Sequence, residues 1–183
     1  MKIDEKKLIE IDACKEGVEM FRQYPGLKGG RAELGALCRW AVSEGAPGYV
    51  FWLLPRLMEP EGAAKWAILA AKRHYHDADW NKWADSWLSR EDRTPESAEA
   101  AAATAVWAAS WAAWAAWAAA AAWTARAAAW AATAASAWEA EAAAAWAAEY
   151  DYASAEDKTA EIELQIRDAL EILSVDGKKE KAI

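Results

Sequence analysis

The fold of this chain is decided by residues 98–148, which read AEAAAATAVWAASWAAWAAWAAAAAWTARAAAWAATAASAWEAEAAAAWAA. Of these 51 residues, 33 are alanine and 8 are tryptophan, and neither glycine nor proline occurs among them. Alanine is the strongest helix former and loses no side-chain entropy, while tryptophan buries a larger surface than other side chains. The segment therefore predicts helices that pack tightly against other helices.

The whole chain of 183 residues predicts a single all-α domain, a compact multi-helix bundle with Ala/Trp-rich core helices. Residues 1–93 read as short helices separated by glycine and proline, and residues 94–150 form the Ala/Trp-rich tract. Residues 154–174 carry the amphipathic pattern of a C-terminal helix. Because alanine faces permit helices to approach closely, we also expect the protein to form a homo-oligomer.

The length of the Ala/Trp-rich tract raises a difficulty for a compact domain. One straight helix over 51 residues would run for about 77 Å, whereas a domain of this size has a radius of gyration of about 16 Å. The indoles from Trp107 to Trp117 share one arc of a helical projection, while Trp123 and Trp130 point to nearly the opposite side. We expect the chain to turn near residues 118–122; the alternative is one helix buried on both faces.

Capping and breaking residues predict where the helices begin and end. Asp12 is expected to cap the first helix, and Arg31–Ser43 are expected to form the second, with Gly45 as its stop. The triplet Thr94-Pro95-Glu96 combines a capping hydroxyl, a first-turn proline and a first-turn acid, and it predicts the start of the tract. The last residues, 176–180, are expected to be frayed.

Charge and cysteine content exclude several classes of partner. The net charge is −8, and the basic residues are scattered, which argues against duplex nucleic acid and acidic membranes as partners. Residues 100–125 lack charge but contain Val106 as their one strongly inserting residue, so we do not expect a membrane span. Cys14 and Cys38 lack a CxxC spacing, and the N-terminus lacks a signal peptide. We expect a protein of the bacterial cytoplasm.

The sequence contains no constellation of residues that predicts catalysis. Phosphate-binding loops, nucleophile elbows, dinucleotide fingerprints and paired carboxylates at a cleft are absent. The run His74-Tyr75-His76-Asp77-Ala78-Asp79 is similar to a metal motif of hydrolases, but the chain has no further histidine to complete such a centre. A histidine pair that ends one helix, followed by an aspartate that caps the next, explains it better. We therefore expect no enzyme activity, no metal and no cofactor.

Arg126 is the leading candidate for ligand binding, because it is the one charged residue between Glu99 and Glu139. Its helical neighbours at i−3, i+4 and i+7 are Trp123, Trp130 and Thr133. A planar cation between indoles suits a nucleotide, with phosphate on the guanidinium and the base on an indole. The alternative is an exposed arginine that keeps an alanine-rich helix soluble.

A second candidate is an aromatic wall formed by Trp80, Trp83 and Trp87, which lie at i, i+3 and i+7. Basic residues near the rim of such a cleft would contact a ligand, and we include Arg73 and His74 in the predicted ligand-binding set. Lys82 and Arg90 are further rim candidates. The same spacing is typical of a core seam, although leucine fills a core with fewer polar obligations than tryptophan.

Two stretches carry a resemblance to known proteins. Residues 12–21, DACKEGVEMF, contain a Cys-x2-Gly-x3-Phe element, and alanine runs with regularly spaced aromatics follow much later. In this layout the chain resembles a group of uncharacterised Ala-rich bacteriophage proteins and, more loosely, bacterial immunity proteins with Ala-rich helical domains. The resemblance implies a role in conflicts between phage and host, in which small proteins act stoichiometrically. It assigns no functional residue.

Three hypotheses for function follow. The first is a non-enzymatic, phage-like anti-defence protein that sequesters a small nucleotide-like immune signal in a pocket lined by tryptophan and arginine. The second is an immunity-type protein whose acidic surface inhibits a toxin or host defence protein by direct binding, and the third is a structural helical assembly. The second predicts clustered exposure of six acids: Glu96, Glu99, Glu139, Glu141, Glu149 and Asp151.

Overall fold

The computed structural model describes residues 1–111, 125–132, 141–143 and 155–179, and these residues are mostly helical, as predicted. The predicted turn at 118–122 lies outside the described residues, as do Trp123 and Thr133. Residues 125–132 are helical, and we refer to them as the 125–132 helix. The chain therefore belongs to the all-α class, with one small strand pair.

The elements follow one another along the chain with short connections. They are β1 (Lys2–Asp4), α1 (Glu5–Glu10), α2 (Lys15–Gln23), β2 (Arg31–Glu33), α3 (Leu34–Ser43), α4 (Pro47–Arg56), α5 (Pro60–Lys72), α6 (Ala78–Ser89), α7 (Pro95–Trp111) and α8 (Ala155–Lys179). The C-terminal helix thus continues beyond the predicted end at Ser174 and includes Gly177, in a region where fraying was expected.

The strand pair was not predicted from the sequence. β1 and β2 are antiparallel, with Ile3 opposite Ala32, and both of these side chains are buried. Gly29 and Gly30 adopt positive φ angles of 58° and 73°, which turn the chain into β2. Arg31 was expected to begin a helix, but helix α3 begins at Leu34, after Glu33 accepts a hydrogen bond from the amide of Ala36 at 2.7 Å.

The helix caps agree with the sequence predictions at most positions. Asp12 was expected to cap the first long helix, but it adopts a φ of 57°, and Cys14 is the cap, its Sγ accepting from the amide of Gly17 at 3.4 Å. Asp77 caps α6, and Thr94 accepts from the amide of Ser97 at 3.3 Å at the start of α7. The structure thus corrects one predicted cap and confirms the start of the Ala/Trp-rich tract.

Two hydrophobic clusters form the core. One cluster joins the strands and α1–α4 to α8, and the other joins α5, α6, α7 and the 125–132 helix. Helix α5 contributes to both, since Trp66 belongs to the first cluster and Ile68 to the second. Among the described residues, no helix is long and apolar enough to cross a membrane.

The second cluster pairs large indoles with small methyl groups. Helix α6 supplies its tryptophans, and the facing helices supply buried alanines: Ala98, Ala101, Ala102, Ala105, Ala125, Ala127, Ala128, Ala129 and Ala131. Large residues beside small ones interdigitate at close helix spacing, which explains why the α6 indoles share this cluster with alanines. These alanines are covered by helices of the same chain.

Candidate ligand site

The three predicted tryptophans of α6 lie in the core. Trp80, Trp83 and Trp87 are 1%, 9% and 4% exposed, so the i, i+3, i+7 spacing forms a seam against α5, α7 and the 125–132 helix. Within the described part of the chain, these three buried indoles do not form the wall of a solvent-filled cleft. Their chemistry therefore depends on what their ring faces and N–H groups meet inside the protein.

Tyr75 completes an aromatic row with two of these indoles. The Tyr75 ring lies 5.5 Å from the Trp80 ring at an interplanar angle of 85°, and the Trp80 ring lies 5.5 Å from the Trp83 ring at 60°. Both pairs have the edge-to-face geometry that aromatic quadrupoles favour. We refer to Tyr75, Trp80 and Trp83 as the aromatic triad.

Each member of the aromatic triad has a buried hydrogen-bond donor that is not satisfied. Tyr75 Oη, Trp80 Nε1 and Trp83 Nε1 have no hydrogen-bond partner within the described part of the chain. The surrounding alanines offer methyl groups in place of side-chain acceptors. Burial, helped by the charge of Asp77, raises the pKa of Tyr75 to about 12, so its hydroxyl keeps its proton at neutral pH.

Sequence reasoning missed Tyr75 as a site residue. Tyr75 lies between the two histidines of a run that is similar to a metal motif, whereas its ring belongs to the core cluster of α6. The signal that could have found it is the spacing of aromatics at 75, 80 and 83 across the start of a helix whose neighbours are alanine-rich. Only the packing shows that all three donors lack acceptors.

The Trp87 ring is covered by an arginine side chain and does not line an open cleft. The guanidinium carbon of Arg93 lies 4.2 Å from the Trp87 ring centroid, and Arg93 Nε donates to the Trp87 carbonyl at 2.9 Å. Glu61 pairs with both Arg93 and Arg90, and the hydrogen bond from Arg93 is the main cause that lowers the pKa of Glu61. Arg90, predicted at the rim of a ligand cleft, is thus engaged with Glu61.

Arg126 and Trp130 lie one turn apart on the 125–132 helix, where Trp130 is exposed and Arg126 is half-buried. The guanidinium carbon of Arg126 lies 4.5 Å from the Trp130 ring centroid, and the Trp130 side chain is 42% exposed. The buried alanines of this helix belong to the same core cluster as the α6 indoles. The predicted i, i+4 pairing is therefore present as a cation–π pair between a half-buried arginine and an exposed indole.

Arg73 and His74 belong to a different cluster, at the end of α5. Arg73 Nε donates to both carboxylate oxygens of Glu161, at 2.9 and 3.0 Å, and its Nη1 donates to Asp168 at 2.7 Å. His74 Nε2 lies 3.5 Å from Glu161, and Gln165 Nε2 donates to the same carboxylate at 2.9 Å. The structure places these two predicted residues against α8, in an ion-pair cluster that anchors that helix.

Glu161, Gln165 and Asp168 are the residues of this ion-pair cluster that sequence reasoning missed. They occupy i, i+4 and i+7 positions of α8, interleaved with the apolar residues that face the core, and Glu161 is 4% exposed. Polar residues on the apolar stripe of an amphipathic helix are the available signal in the sequence. Their partners, 88 and 95 residues away in the chain, became visible only in the fold.

An apolar cleft lies between α1, α2, α3 and α4. It contains about 430 Å³ of empty space that is partly open to solvent, and its lining residues include Phe21, Cys38 and Trp52. Burial raises the pKa of the Cys38 thiol to about 12, which keeps this thiol protonated. The cleft therefore offers apolar contact and no reactive group from Cys38.

Comparisons with protein families, with curated proteins and with proteins of known structure returned no match. Within the described ranges, no group of three or more His, Cys, Asp or Glu side chains is placed to hold a metal ion. Two features of the described residues bear on function: the Arg126–Trp130 pair, with its exposed indole, and the buried donors of the aromatic triad.

Proposed function

We propose that this protein is a non-enzymatic binding protein that sequesters a small nucleotide-like ligand. In the phage-like setting that the resemblance implies, the ligand would be an immune signal of the bacterial host. The observation that carries the proposal is the Arg126 guanidinium stacked 4.5 Å from an indole that remains 42% exposed.

The chemistry of this pair suits both parts of a nucleotide. The guanidinium has several N–H donors in a planar fork that matches phosphate oxygens, and an exposed indole gives a base a stacking surface of about 1–3 kcal/mol per base. Stacking on Trp130 also restricts the rotamers of Arg126, so less entropy is lost when a phosphate binds.

The position of the pair separates its binding role from the core. The alanines at 125, 127, 128, 129 and 131 are buried, and they belong to the core cluster that also contains the α6 indoles. On the same helix, Arg126 is half-buried and Trp130 is exposed. A ligand on this pair would therefore rest on a rigid element, as precise binding requires.

The first experiment is native mass spectrometry of the protein purified from phage-infected, defence-active cells, followed by denaturation to release any bound molecule. A bound nucleotide would support the proposal and identify the ligand. Isothermal titration calorimetry with a panel of ribonucleotides and cyclic dinucleotides then measures affinity. If no nucleotide binds at micromolar concentration, the proposal fails.

Two arginine variants provide a matched comparison. Arg126→Ala is expected to weaken nucleotide binding at least tenfold with little change in melting temperature, because Trp130 is exposed and Arg126 is only half-buried. Arg56 also stacks on an indole at 4.5 Å, over Trp52, but it binds Glu141 at 2.6 Å and links distant segments. Arg56→Ala is expected to lower the melting temperature and to leave nucleotide binding intact. If Arg126→Ala gives this same result, Arg126 has a structural role and does not bind the nucleotide.

A second candidate is the immunity-type antagonist of a basic protein. Glu96 and Glu99 are exposed on α7, as this hypothesis predicts, whereas Glu141 is half-buried and paired with Arg56. Glu139, Glu149 and Asp151 lie outside the described residues. Recovery of a bound polypeptide in the mass spectrum, together with its loss in a Glu96→Lys/Glu99→Lys double variant, would support this candidate over the first.

We also propose that the protein forms a homo-oligomer. Exposed apolar side chains that a second copy could cover are scattered over the described surface, at Ile9, Trp130 and Val175 among others. The buried alanines of α7 and the 125–132 helix already pack within one chain. Sedimentation equilibrium measures the oligomeric state, and a monomer at tens of micromolar would remove the homo-oligomer from the proposal.

A further inference from the structure

We propose that the apolar cleft between α1, α2, α3 and α4 is a second binding site, which takes the uncharged alkyl chain of a small molecule. This inference is independent of the Arg126–Trp130 pair and of the proposed function. It is carried by the chemistry of the lining, by the empty space in the cleft, and by a glycine of α2 that also lines it.

One face of α2 forms a wall of the cleft. Gly17, Met20 and Phe21 line it from positions i, i+3 and i+4, which share a helix face. Cys14 begins this helix, and its Sγ accepts a hydrogen bond from the amide of Gly17 at 3.4 Å. The Cys-x2-Gly-x3-Phe element of the sequence therefore lies at this cleft, where the cysteine caps the helix and the other two residues line the wall.

The lining favours an uncharged ligand. The described residues that line the cleft are aliphatic, aromatic or sulfur-containing, and their exposed surface is almost wholly apolar. Phe21, Leu37 and Cys38 are buried, while Met20 and Trp52 are half-buried. A charged group would lose its hydration here without gaining a partner, whereas an alkyl chain gains about fourfold in affinity for each methylene that leaves water.

The empty space in the cleft requires a reason, because protein interiors are packed as densely as organic crystals. Apolar atoms that line a void lose the contacts that a filled core would give them. Within the cleft, the centres of water-sized molecules can occupy about 40 Å³, which is room for about three waters. A bound water needs about two to four polar partners, and these walls offer almost none. A short alkyl chain would restore the contacts.

Gly17 keeps this space open at a cost to α2. The residue lies within the helix, where glycine is less stable than alanine. A Cβ built on Gly17 would lie 3.6 Å from Cys14 Sγ and from the Tyr49 ring, which is ordinary van der Waals contact. The helical backbone and these distances would both admit alanine. Because Gly17 and Tyr49 both line the cleft, a side chain at position 17 would narrow it.

The surroundings of the cleft favour a small molecule over a protein surface. The interior of a protein interface is depleted in charged residues, whereas α2 carries exposed charges beside the cleft, at Lys15, Glu16, Glu19 and Arg22. The exposed large hydrophobic side chains of the described residues lie outside the lining, at Met1, Ile9, Trp130 and Val175. A small molecule fills the cleft without covering these charges.

Met20 gives a direct readout of occupancy, because the chain has three methionines and the other two, Met1 and Met58, lie outside the lining. Protein labelled with ¹³C at the methionine methyls is titrated with 1-butanol, 1-pentanol and 1-hexanol and followed by NMR. The Met20 signal is expected to shift saturably, with affinity rising about fourfold per methylene, while the Met1 and Met58 signals stay in place. No saturable shift at Met20, or a parallel shift of all three signals, would overturn the inference.

Two glycine variants provide a matched comparison. Gly17→Ala is expected to raise the melting temperature slightly through helix propensity, and to weaken 1-hexanol binding about fourfold, as for one lost methylene contact. Gly48→Ala, where a Cβ meets nothing within 4 Å, is expected to raise the melting temperature without changing 1-hexanol binding. A lower melting temperature for Gly17→Ala would show that the fold requires this glycine, and unchanged 1-hexanol binding would show that it does not shape the site; either result overturns the inference.

Two further results separate this site from the other proposals. Arg126→Ala is expected to bind 1-hexanol as the wild type does, and a loss of binding would place the alcohol at the nucleotide site and overturn the inference. A Met20 signal that moves on dilution of the alcohol-free protein would show that a second copy of the chain covers the cleft. That result would also overturn the inference and would leave the sequestering function in place.

Discussion

At the scale of single residues, the described core contains one heavily paired carboxylate, Glu161. Burial by itself raises the pKa of this carboxyl, but hydrogen bonds from His74, Arg73 and Gln165, with the charge of Arg73, lower the pKa below its ordinary value of 4.5. For Arg73, burial lowers the pKa, and the bonds to Glu161 and Asp168 raise it further than burial lowers it. Both groups therefore remain ionised at neutral pH.

The Glu161 cluster predicts a pH dependence of stability. Because the folded-state pKa of Glu161 is below that of the unfolded chain, its contribution is complete above about pH 4.5 and is lost as the pH falls through the folded-state value. Glu161→Gln is expected to reduce the free energy of unfolding at pH 7 by about 3 kcal/mol, the low end for a broken buried ion pair, because Asp168 still holds Arg73.

Urea unfolding between pH 3 and 7 measures this prediction. The wild type is expected to lose stability more steeply below pH 4.5 than Glu161→Gln, and the variant should melt about 6–12 °C lower at pH 7. Glu171→Gln, at an exposed position of the same helix, is the control and should change stability by less than about 0.5 kcal/mol. If the free energy of unfolding falls in parallel with pH in the wild type and in Glu161→Gln, the lowered pKa of Glu161 is contradicted.

At the scale of the elements, α8 holds the bundle together through contacts with helices distant in the chain. Trp66 of α5 donates its indole N–H to the carbonyl of Gln165 at 2.8 Å in the buried interface. On the α3 side, α8 approaches so closely that a Cβ built on Gly35 would lie 2.8 Å from Cδ1 of Leu170. A methyl group at this position would therefore displace the end of the Leu170 side chain.

Two glycines at the second position of their helices allow a matched prediction. Gly35→Ala is expected to destabilise the protein by about 1–2 kcal/mol, because Leu170 must move to admit the methyl group. Gly48→Ala, at the second residue of α4, where a Cβ meets nothing within 4 Å, is expected to stabilise it by about 0.5 kcal/mol through helix propensity. Chemical denaturation measures both changes, and equal effects would exclude close packing of α3 on α8.

At the scale of the whole molecule, the two hydrophobic clusters share a common wall. Helix α5 places residues in both, and Met58 packs against both. The ion-pair cluster at the end of α5 adds a polar link to α8. If one cluster unfolds, part of α5 is therefore exposed to solvent. Because α5 also packs in the second cluster, the second cluster is destabilised as well.

This arrangement predicts one cooperative unfolding transition. Leu54→Ala removes a fully buried side chain from the first cluster, and Ile68→Ala removes one from the second. Each variant is expected to lose about 2–5 kcal/mol, and far-UV and near-UV circular dichroism should follow one shifted curve. Two separated transitions, each sensitive to one variant alone, would show that the clusters unfold independently.

Local features of the sequence were sufficient for the helical class and for many helix ends. Alanine-rich composition, the prolines at 47 and 60, the capping oxygens of Asp77 and Thr94 and the positive φ of Gly45 act within one turn of the chain. The Arg126–Trp130 contact was also predictable, because residues at i and i+4 share a helix face. Such interactions depend on neighbours along the chain and need no knowledge of the fold.

The sequence by itself determined the helical class and the local contacts, whereas the tertiary structure decided what each conspicuous residue meets. Ile3 pairs with Ala32 in a strand ladder, Arg73 meets Glu161 across 88 residues, and the α6 indoles are buried under alanines. The physical reason is that burial, ion pairing and donor satisfaction depend on surfaces brought together from distant segments, and composition cannot specify those surfaces. The donors of the aromatic triad are identical in the sequence whether they face water, a carbonyl or a methyl group.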